Sequence, residues 1–280
     1  MKPGPVCAKF PRMEKVSAIV TCFNRENEIA ACLESLRWAD ELIVVDSFSR
    51  DRTLEIARRY TARLYQREYH SPGGQKNWAI TQATHPWIVS IDSDEVMPVD
   101  LKNEVRSTLV APRFRLYKVY RRGIFVGREL KHGGWNLDTN YLLFRKDTYR
   151  YTEEVHERLM PASAFGLFHH HLIHYTHRSI EEFVQKSNRY ATGGAKKYFL
   201  RGRRGTAAKV FSHAVFNFLK NYVFRFGFLD GGPGLIVAVL SSCYVAEKWA
   251  KLWELTRAGT RSTSPDAKKT DRRAPPPHLP

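Results

Sequence analysis

Two periodicities alternate through the first ninety residues. Short, β-branched apolar runs at 16–20, 41–45, 62–69 and 87–91 read as strands. Between them, apolar residues recur at helical spacing. Ile29, Leu33 and Leu36 form one set, with Asn24 or Asn27 available as a cap. Leu54, Ile56, Ala57 and Tyr60 follow Asp51 and Thr53, and a third helical pattern spans 75–83. Strands alternating with helices of this length predict right-handed crossovers and an α/β fold whose central sheet is mostly parallel and covered on both faces.

The pattern then changes. Residues 113–145 are strand-like and rich in Tyr, Phe and Arg, with Gly123, Gly127, Gly133 and Gly134 as breakers. After Ser179 the chain becomes helical: 180–190 is amphipathic, and Val210, Phe211, Val215, Phe216, Phe218, Leu219, Tyr222, Val223 and Phe226 alternate with Lys209, Lys220 and Arg225. The segment 227–232 interrupts this, and 235–246 is the longest apolar stretch, shorter than the roughly 20 residues a bilayer crossing needs. Large apolar residues interleaved with Lys and Arg predict helices lying in a membrane interface; a core helix with a solvated basic face is the alternative. The expected organisation is an N-terminal extension over 1–14 and an α/β domain over 15–178, with halves 15–110 and 111–178. A helical, basic, membrane-associating region follows over 179–255, then a disordered Pro-, Lys-, Arg- and Ser-rich tail over 256–280.

Charge sharpens that division. Residues 1–100 carry 13 Lys and Arg against 14 Asp and Glu, whereas the remaining 180 carry 32 against 14. A positive balance confined to one part points to an anionic partner there. Nucleic acid is not the expected partner, because no zinc-finger or RNA-recognition motif accompanies the charge.

Candidate chemistry gathers at the strand ends. Thr21 and Asn24, then Asp46, then Asp92 and Asp94 each follow an apolar run, and ligands of open α/β sheets bind at the carboxyl ends of strands. Neither a Gly-x-Gly-x-x-Gly turn nor a P-loop is present, so a nucleotide would be held by side chains and a metal. The pair Asp92 and Asp94 can hold Mg²⁺ or Mn²⁺ on a nucleotide diphosphate. The histidines at 169–171, 174 and 177 invite zinc, but alternation along a strand separates them and Cys7, Cys22, Cys32 and Cys243 show no paired spacing.

Thr21-Cys22-Phe23-Asn24-Arg25-Glu26, the run from Val45 to Thr53, Gln75-Lys76-Asn77 and Asp92-Ser93-Asp94 together resemble family 2 glycosyltransferases, which share the GT-A fold. The resemblance implies that Thr21, Asn24, Glu26 and Asp46 line the nucleoside pocket and that Lys76 and Asn77 sit near the diphosphate or nucleoside. It also implies that Asp92 contacts ribose or metal and that Asp94 is the principal metal ligand. Inverting members need a carboxylate base beside the anomeric carbon. Glu153, Glu154 and Glu157 are the only acids between Asp147 and Glu181. Val155-His156-Glu157 resembles the segment that holds the base, which favours Glu157, with Glu154 second. Ile173-His174-Tyr175 resembles the late histidine that completes the metal site.

The tail, with Lys186-Ser187-Asn188-Arg189-Tyr190, Gly227-Phe228-Leu229-Asp230-Gly231 and Lys248-Trp249-Ala250-Lys251-Leu252-Trp253-Glu254, resembles the bacterial lipopolysaccharide core β-glucosyltransferases of that family. This implies a UDP-sugar donor, UDP-glucose in those members, and a lipid-linked anionic glycan acceptor such as an inner-core heptose. One departure is Leu142-Leu143-Phe144 where Arg-Leu-Phe is expected, with Arg145 close by. No apolar signal segment precedes Val16, and the unpatterned cysteines suit a reducing compartment. The expected location is the cytoplasm, peripherally on the inner face of the inner membrane.

Overall fold

A computed structural model describes residues 13–135, 138–152 and 157–262, with side chains to residue 258. The chain divides into two compact units. One comprises residues up to 124 together with 135–176; the other comprises 125–134 and the chain from 177 onward.

The first unit is built on strands β1 (Val16–Cys22), β2 (Glu41–Asp46), β3 (Leu64–Gln66), β4 (Trp87–Asp92), β5 (Glu95–Val96), β6 (Leu116–Phe125), β8 (Thr139–Arg145), β9 (Arg150–Tyr151), β10 (Leu159–Met160), β11 (Gly166–Leu167) and β12 (Leu172–His177), whereas the short β7 (Arg128–Glu129) belongs to the second unit. The main sheet runs in the order β3-β2-β1-β4-β8-β6-β12-β5. β1 pairs in parallel with both β2 and β4, and β2 pairs in parallel with β3. The antiparallel strand β8 closes this half against β4.

Burial on both faces explains the apolar runs. Val16, Ala18 and Val20 of β1 enter one core cluster with Ile29, Leu33 and Leu101, from helices α1 (Ile29–Ser35) and α4 (Val99–Thr108). Ile19 of the same strand points the other way, into a second cluster with Ile43, Ile88 and Ile80 of helix α3 (Pro72–Gln82). Helix α2 (Thr53–Ala57) adds Ala57 to the first cluster. Helix α3 starts where Pro72 pre-sets the first turn and Ser71 Oγ accepts from Gly74 N at 3.0 Å.

Several expectations change. Neither Asn24 nor Asn27 caps α1; its N-cap is Glu28, with no side-chain cap bond, and Asn24 is engaged elsewhere. The third strand shrinks to Leu64–Gln66. Leu142 is fully buried in the first core cluster, so the position is apolar packing here. Arg145 does not replace the missing arginine at the strand ends. It pairs in register with Trp87 at the start of β4, five residues and about 16 Å along the strand from Asp92.

The second unit contains α5 (Ile180–Leu200), α6 (Ala207–Phe218), a π-helical turn over Leu219–Phe224, a 3-10 turn over Gly227–Asp230 and α7 (Gly231–Ser262). Ser179 Oγ caps α5 by accepting from Glu182 N, and Thr206 Oγ1 caps α6 by accepting from Lys209 N. The apolar stretch 235–246 thus belongs to a longer helix, and residues 256–262, expected in the tail, continue it. Gly227–Ala258 is long and apolar enough to cross a membrane by length and composition, criteria that buried core helices also meet; only 22% of its most apolar window is buried.

The histidine run resolves differently from the strand alternation expected. β12 begins only at Leu172, and His169 and His170 lie in the bend before it. Glu104 of α4 accepts from both backbone amides, at 2.9 and 3.0 Å, and meets both ring Nδ1 atoms at 2.9 Å. Burial would raise the Glu104 pKa, but these donors outweigh it and hold the carboxyl at about 2. Because the folded value lies below the ordinary 4.5, the stabilisation is complete above that pH and fades as pH falls toward 2. Glu104→Gln is expected to flatten the acid limb of the stability–pH curve, measured by urea denaturation between about pH 7 and pH 3. An unchanged limb would remove Glu104 as its cause.

Candidate active site

Register places the strand ends together. Thr21 pairs with Asp92 on one side of β1, and Cys22 pairs with Asp46 on the other. The loops after β1 and β2 are then stitched by reciprocal bonds. Asn24 N donates to Ser49 Oγ at 2.8 Å, and Asn24 Oδ1 accepts from Arg50 N at 2.8 Å. Arg25 N donates to Thr53 Oγ1 at 2.7 Å. Glu26 N donates to Asp51 Oδ2 at 3.1 Å, and Glu26 Oε2 accepts from Arg52 N at 3.2 Å. Asn24 sits at φ 51°, a left-handed conformation that asparagine tolerates better than most residues. Asn24 and Glu26 therefore spend hydrogen-bonding capacity on shaping the rim.

Asp46 is fully buried. Its carboxylate accepts from Ser49 N at 2.8 Å, from Ser49 Oγ and from Gln66 Nε2 at 3.4 Å, and contacts Cys22 Sγ at 3.6 Å. Burial, reinforced by Asp46, drives the Cys22 thiol pKa far up, so the sulfur stays neutral. A direct contact between Asp46 and a nucleobase requires some of these bonds to be exchanged. Gln75, beside Lys76, links the same loop by donating to Ser47 Oγ at 2.9 Å and to the Arg67 carbonyl at 3.0 Å.

The acidic end of β4 is the centre of charge. Asp92 is half-buried, whereas Asp94 and Glu95 are buried. The antiparallel pairing of β5 with β12 sets His174 opposite Glu95 and brings its Nε2 to 3.6 Å from Asp94 Oδ1. Arg25 NH2 lies 3.3 Å from the other oxygen of Asp94. Lys76 Nζ is 2.8 Å from Asp92 Oδ1 and 2.9 Å from Glu157 Oε1, with the Tyr151 ring 5.2 Å away. Asn77, next on the same helix, pins the backbone of Tyr151 from both sides: Nδ2 donates to its carbonyl and Oδ1 accepts from its amide, each at 2.8 Å.

These contacts set the protonation states. Burial alone would depress the Lys76 pKa, but Asp92, Tyr151 and Glu157 outweigh it and raise the value well above that of an ordinary lysine. Burial likewise opposes ionisation of Asp92, and Lys76 overrides it, so Asp92 is held below the usual carboxylate range. Burial pushes the Tyr151 phenol up to about 12. Glu95 goes up to about 8, because burial and the nearby Asp92 charge exceed the help from Arg121 and the Asp92 amide. Its Oε2 accepts from Asp92 N at 2.9 Å, while Oε1 accepts from Arg121 NH1 at 3.3 Å and Asn140 Nδ2 at 3.4 Å.

Asp94 and His174 supply an oxygen and a nitrogen donor close enough to share one cation, with Asp92 nearby. That donor set suits Mn²⁺ and accommodates Mg²⁺ when waters and phosphate complete the shell. No group of three or more candidate metal-ligating side chains converges among the described residues. Of the two glutamates expected as base, Glu157 reaches this cluster through Lys76; Glu154 lies outside the described residues. The expected list omitted Arg25, Glu95, Arg121, Asn140 and Tyr151. Arg25 had a signal, since it lies inside the Thr21–Glu26 motif. Glu95 directly follows Asp94 and accepts from Asp92 N, whereas Arg121, Asn140 and Tyr151 join through long-range pairing that no local pattern marks.

Removing Lys76 would leave Asp92 and Glu157 facing each other without their shared cation. Lys76→Met is expected to cost on the order of 3 kcal/mol of folding stability, and Lys76→Arg distinctly less, measured by chemical denaturation. Equal stability of the wild type and Lys76→Met would show that the ion pairs carry no net weight.

Residues 17–172 match the family model described as glycosyl transferase family 2. The lipopolysaccharide core biosynthesis glycosyltransferase LpsC of Rhizobium meliloti (strain 1021) is 28% identical over 262 residues, covering 90% of this chain and 97% of its own length. An uncharacterised glycosyltransferase of Rickettsia typhi (strain ATCC VR-144 / Wilmington) is 24% identical over 258 residues, covering 87% of this chain and 88% of its own. Among solved structures, S. aureus TarS 1–349 in complex with UDP is 17% identical and aligns over 90% of this chain and 93% of that one, with a TM-score of 0.45.

Proposed function

The chain belongs to glycosyl transferase family 2 and is a glycosyltransferase, and we propose that it transfers a hexose, glucose foremost, from a UDP-sugar to a lipid-linked anionic glycan with inversion. The observation that carries the proposal is the convergence of Asp94 with His174, and of Asp92 with Lys76 and Glu157, at the carboxyl end of β4. The acceptor class is supported by the concentration of positive charge after residue 100 and by the similarity to a protein named for lipopolysaccharide core biosynthesis. Such an acceptor places the enzyme on the cytoplasmic face of the inner membrane, peripherally bound.

Asp94 and His174 would hold the divalent cation, with Asp92 beside them. When bound, that cation offsets the charge developing on the departing nucleoside diphosphate. Lys76 is the buried cation that two carboxylates of the site share. In this arrangement its ammonium is shared by Asp92 and Glu157, and a diphosphate arriving beside β4 competes for it. Drawing Lys76 toward the phosphates frees the Glu157 carboxylate to accept the proton of the attacking hydroxyl. The hydroxyl oxygen forms its bond to the anomeric carbon as the bond to the diphosphate oxygen breaks on the opposite face. Thr21 faces the same end of the sheet, while Asn24, Glu26, Asp46 and Asn77 act through the loops and the strand they hold.

Release of UDP from a panel of UDP-sugars, with and without Mn²⁺, tests the reading. Turnover is expected with one sugar and is expected to fall at least 100-fold in Asp94→Ala. Glu157→Gln is expected to lose transfer to a similar extent while retaining UDP binding by calorimetry. Retained turnover in Glu157→Gln would move the base to Glu154. Absence of UDP release from every donor would overturn the UDP-sugar assignment.

A further inference from the structure

The second unit carries an apolar surface that its own fold does not cover. α6 and α7 form an antiparallel hairpin: the His213 ring stacks on Trp249 at 4.2 Å, and Asn217 Nδ2 reaches Ser242 Oγ at 3.5 Å. The tip is the π turn, the 3-10 turn and the first turns of α7. Phe211, Phe216, Phe224, Phe226, Phe228 and Leu229 are exposed by 45–74% along its end and flank. Single exposed apolar residues are ordinary; six large ones on one hairpin, four of them within residues 224–229, mark an interaction surface.

The tip is held in place rather than dangling. Asp230 accepts from Lys131 N at 3.2 Å and His132 N at 2.9 Å, and meets the His132 ring at 2.9 Å. Gly133 N donates to the Arg225 carbonyl at 2.9 Å. Phe226 sits at φ 58°, a region that bulky side chains rarely adopt, and is still more than half exposed. Strain of this kind on an outward aromatic is out of place on a surface meant only for water.

Charge selects the occupant. Residues 183–246 carry ten Lys and Arg and one acid, Asp230, which is already bonded to the 131–132 segment. Within 210–246 the charged residues are Lys220, Arg225 and Asp230, whereas Lys196, Lys197, Arg201, Arg203, Arg204 and Lys209 lie at the end of α5 and the start of α6, set back from the tip. An apolar end behind a basic collar matches hydrocarbon beneath anionic headgroups. Lys220 and Arg225 can extend toward the headgroups from an immersed backbone.

Packing, rather than total length, argues against a crossing. The apolar part of α7, residues 231–246, rises about 24 Å, short of the roughly 30 Å hydrocarbon core. Beyond it the helix is committed to protein. Trp249 and Leu252 are buried with Ala195 of α5, and Lys251 Nζ contacts Glu247 Oε1 at 2.6 Å and Thr192 Oγ1 at 2.8 Å. We propose that the α6–α7 hairpin is a monotopic anchor whose tip enters one leaflet of an anionic phospholipid bilayer and returns to the same side. This deepens the membrane placement given above and rests on it only for the whereabouts of the acceptor.

Flotation of the full-length protein with vesicles of phosphatidylcholine alone, or with about 30% phosphatidylglycerol, tests the anchor. Binding is expected with the anionic vesicles, and Phe224→Ser and Leu229→Ser are each expected to weaken it about tenfold. Phe224→Trp is expected to be quenched by brominated acyl chains. In vesicle-bound protein, Lys209→Cys and Arg257→Cys are both expected to react with an impermeant maleimide added outside, read at those positions by peptide mapping. Failure of the wild type to float, or serine variants that float equally well, would overturn the anchor. Shielding of Arg257→Cys alone would replace it with a spanning helix. UDP release, assayed separately without vesicles, reports on the transferase reading alone.

Discussion

β1 has a hydrogen-bonded neighbour on each edge and an apolar layer on each face, so its register is fixed from four directions. A slip of one residue would exchange Ile19 with Ala18 or Val20 between clusters that differ in shape and would unpair both edges. The site depends on that rigidity. Asp46 and Asp92 come from strands separated by more than forty residues of chain, yet each is fixed by pairing with consecutive residues of β1. The loops beyond the strands are not left to find their own form, since Asn24, Arg25 and Glu26 tie one to the next.

Rigid placement of carboxylates creates an electrostatic problem that the chain solves with its own cations. Asp92 and Glu157 share Lys76, Asp94 has Arg25, and Glu95 has Arg121. These partners are not equivalent. Arg121 also bonds Asp138, and its carboxylate partner Glu95 is fully buried, which suits a permanent brace. Lys76 is a single ammonium divided between two carboxylates, and a phosphate competes well for a compact, mobile charge. The ion pairs therefore offset the repulsion within the acidic cluster, and an anion that took Lys76 would have to repay the loss of Asp92 and Glu157 as partners.

The α/β alternation was readable because each strand is a short apolar run and each helix shows its spacing, and the polar residues at their ends were readable for the same reason. Roles were harder. Asn24, Glu26 and Asn77 are polar residues in the expected places, but their hydrogen bonds go to backbone, a destination set by loops closing over many residues. Glu95 directly follows Asp94, but its role comes from Arg121 and Asn140 on strands much later in the chain. His174 shows the same dependence. Its closeness to Asp94 follows from β5 pairing with β12, about eighty residues downstream, and no local periodicity encodes that. The histidines at 169 and 170 make the converse point, since their cluster is explained by one glutamate on α4.

Apolar periodicity in the second unit has two physical destinations. Toward the end of α7 it produces a core: Trp249 and Leu252 are buried, ringed by Ala195, Tyr198 and Val210. Toward the 226–231 turn the same density of large apolar residues remains in contact with solvent. Sequence pattern cannot separate these cases, because a helix is amphipathic toward whatever it faces. Fold geometry can. Residues 226–231 turn back at two positive-φ positions, and among the described residues Phe226, Phe228 and Leu229 stay exposed there. A soluble fold would meet that constraint with polar residues at the turn. This chain places Phe226, Phe228 and Leu229 there, with its one acid turned onto the 131–132 backbone. The proposed anchor therefore rests on the choice of residues at the turn, rather than on total hydrophobicity or net charge.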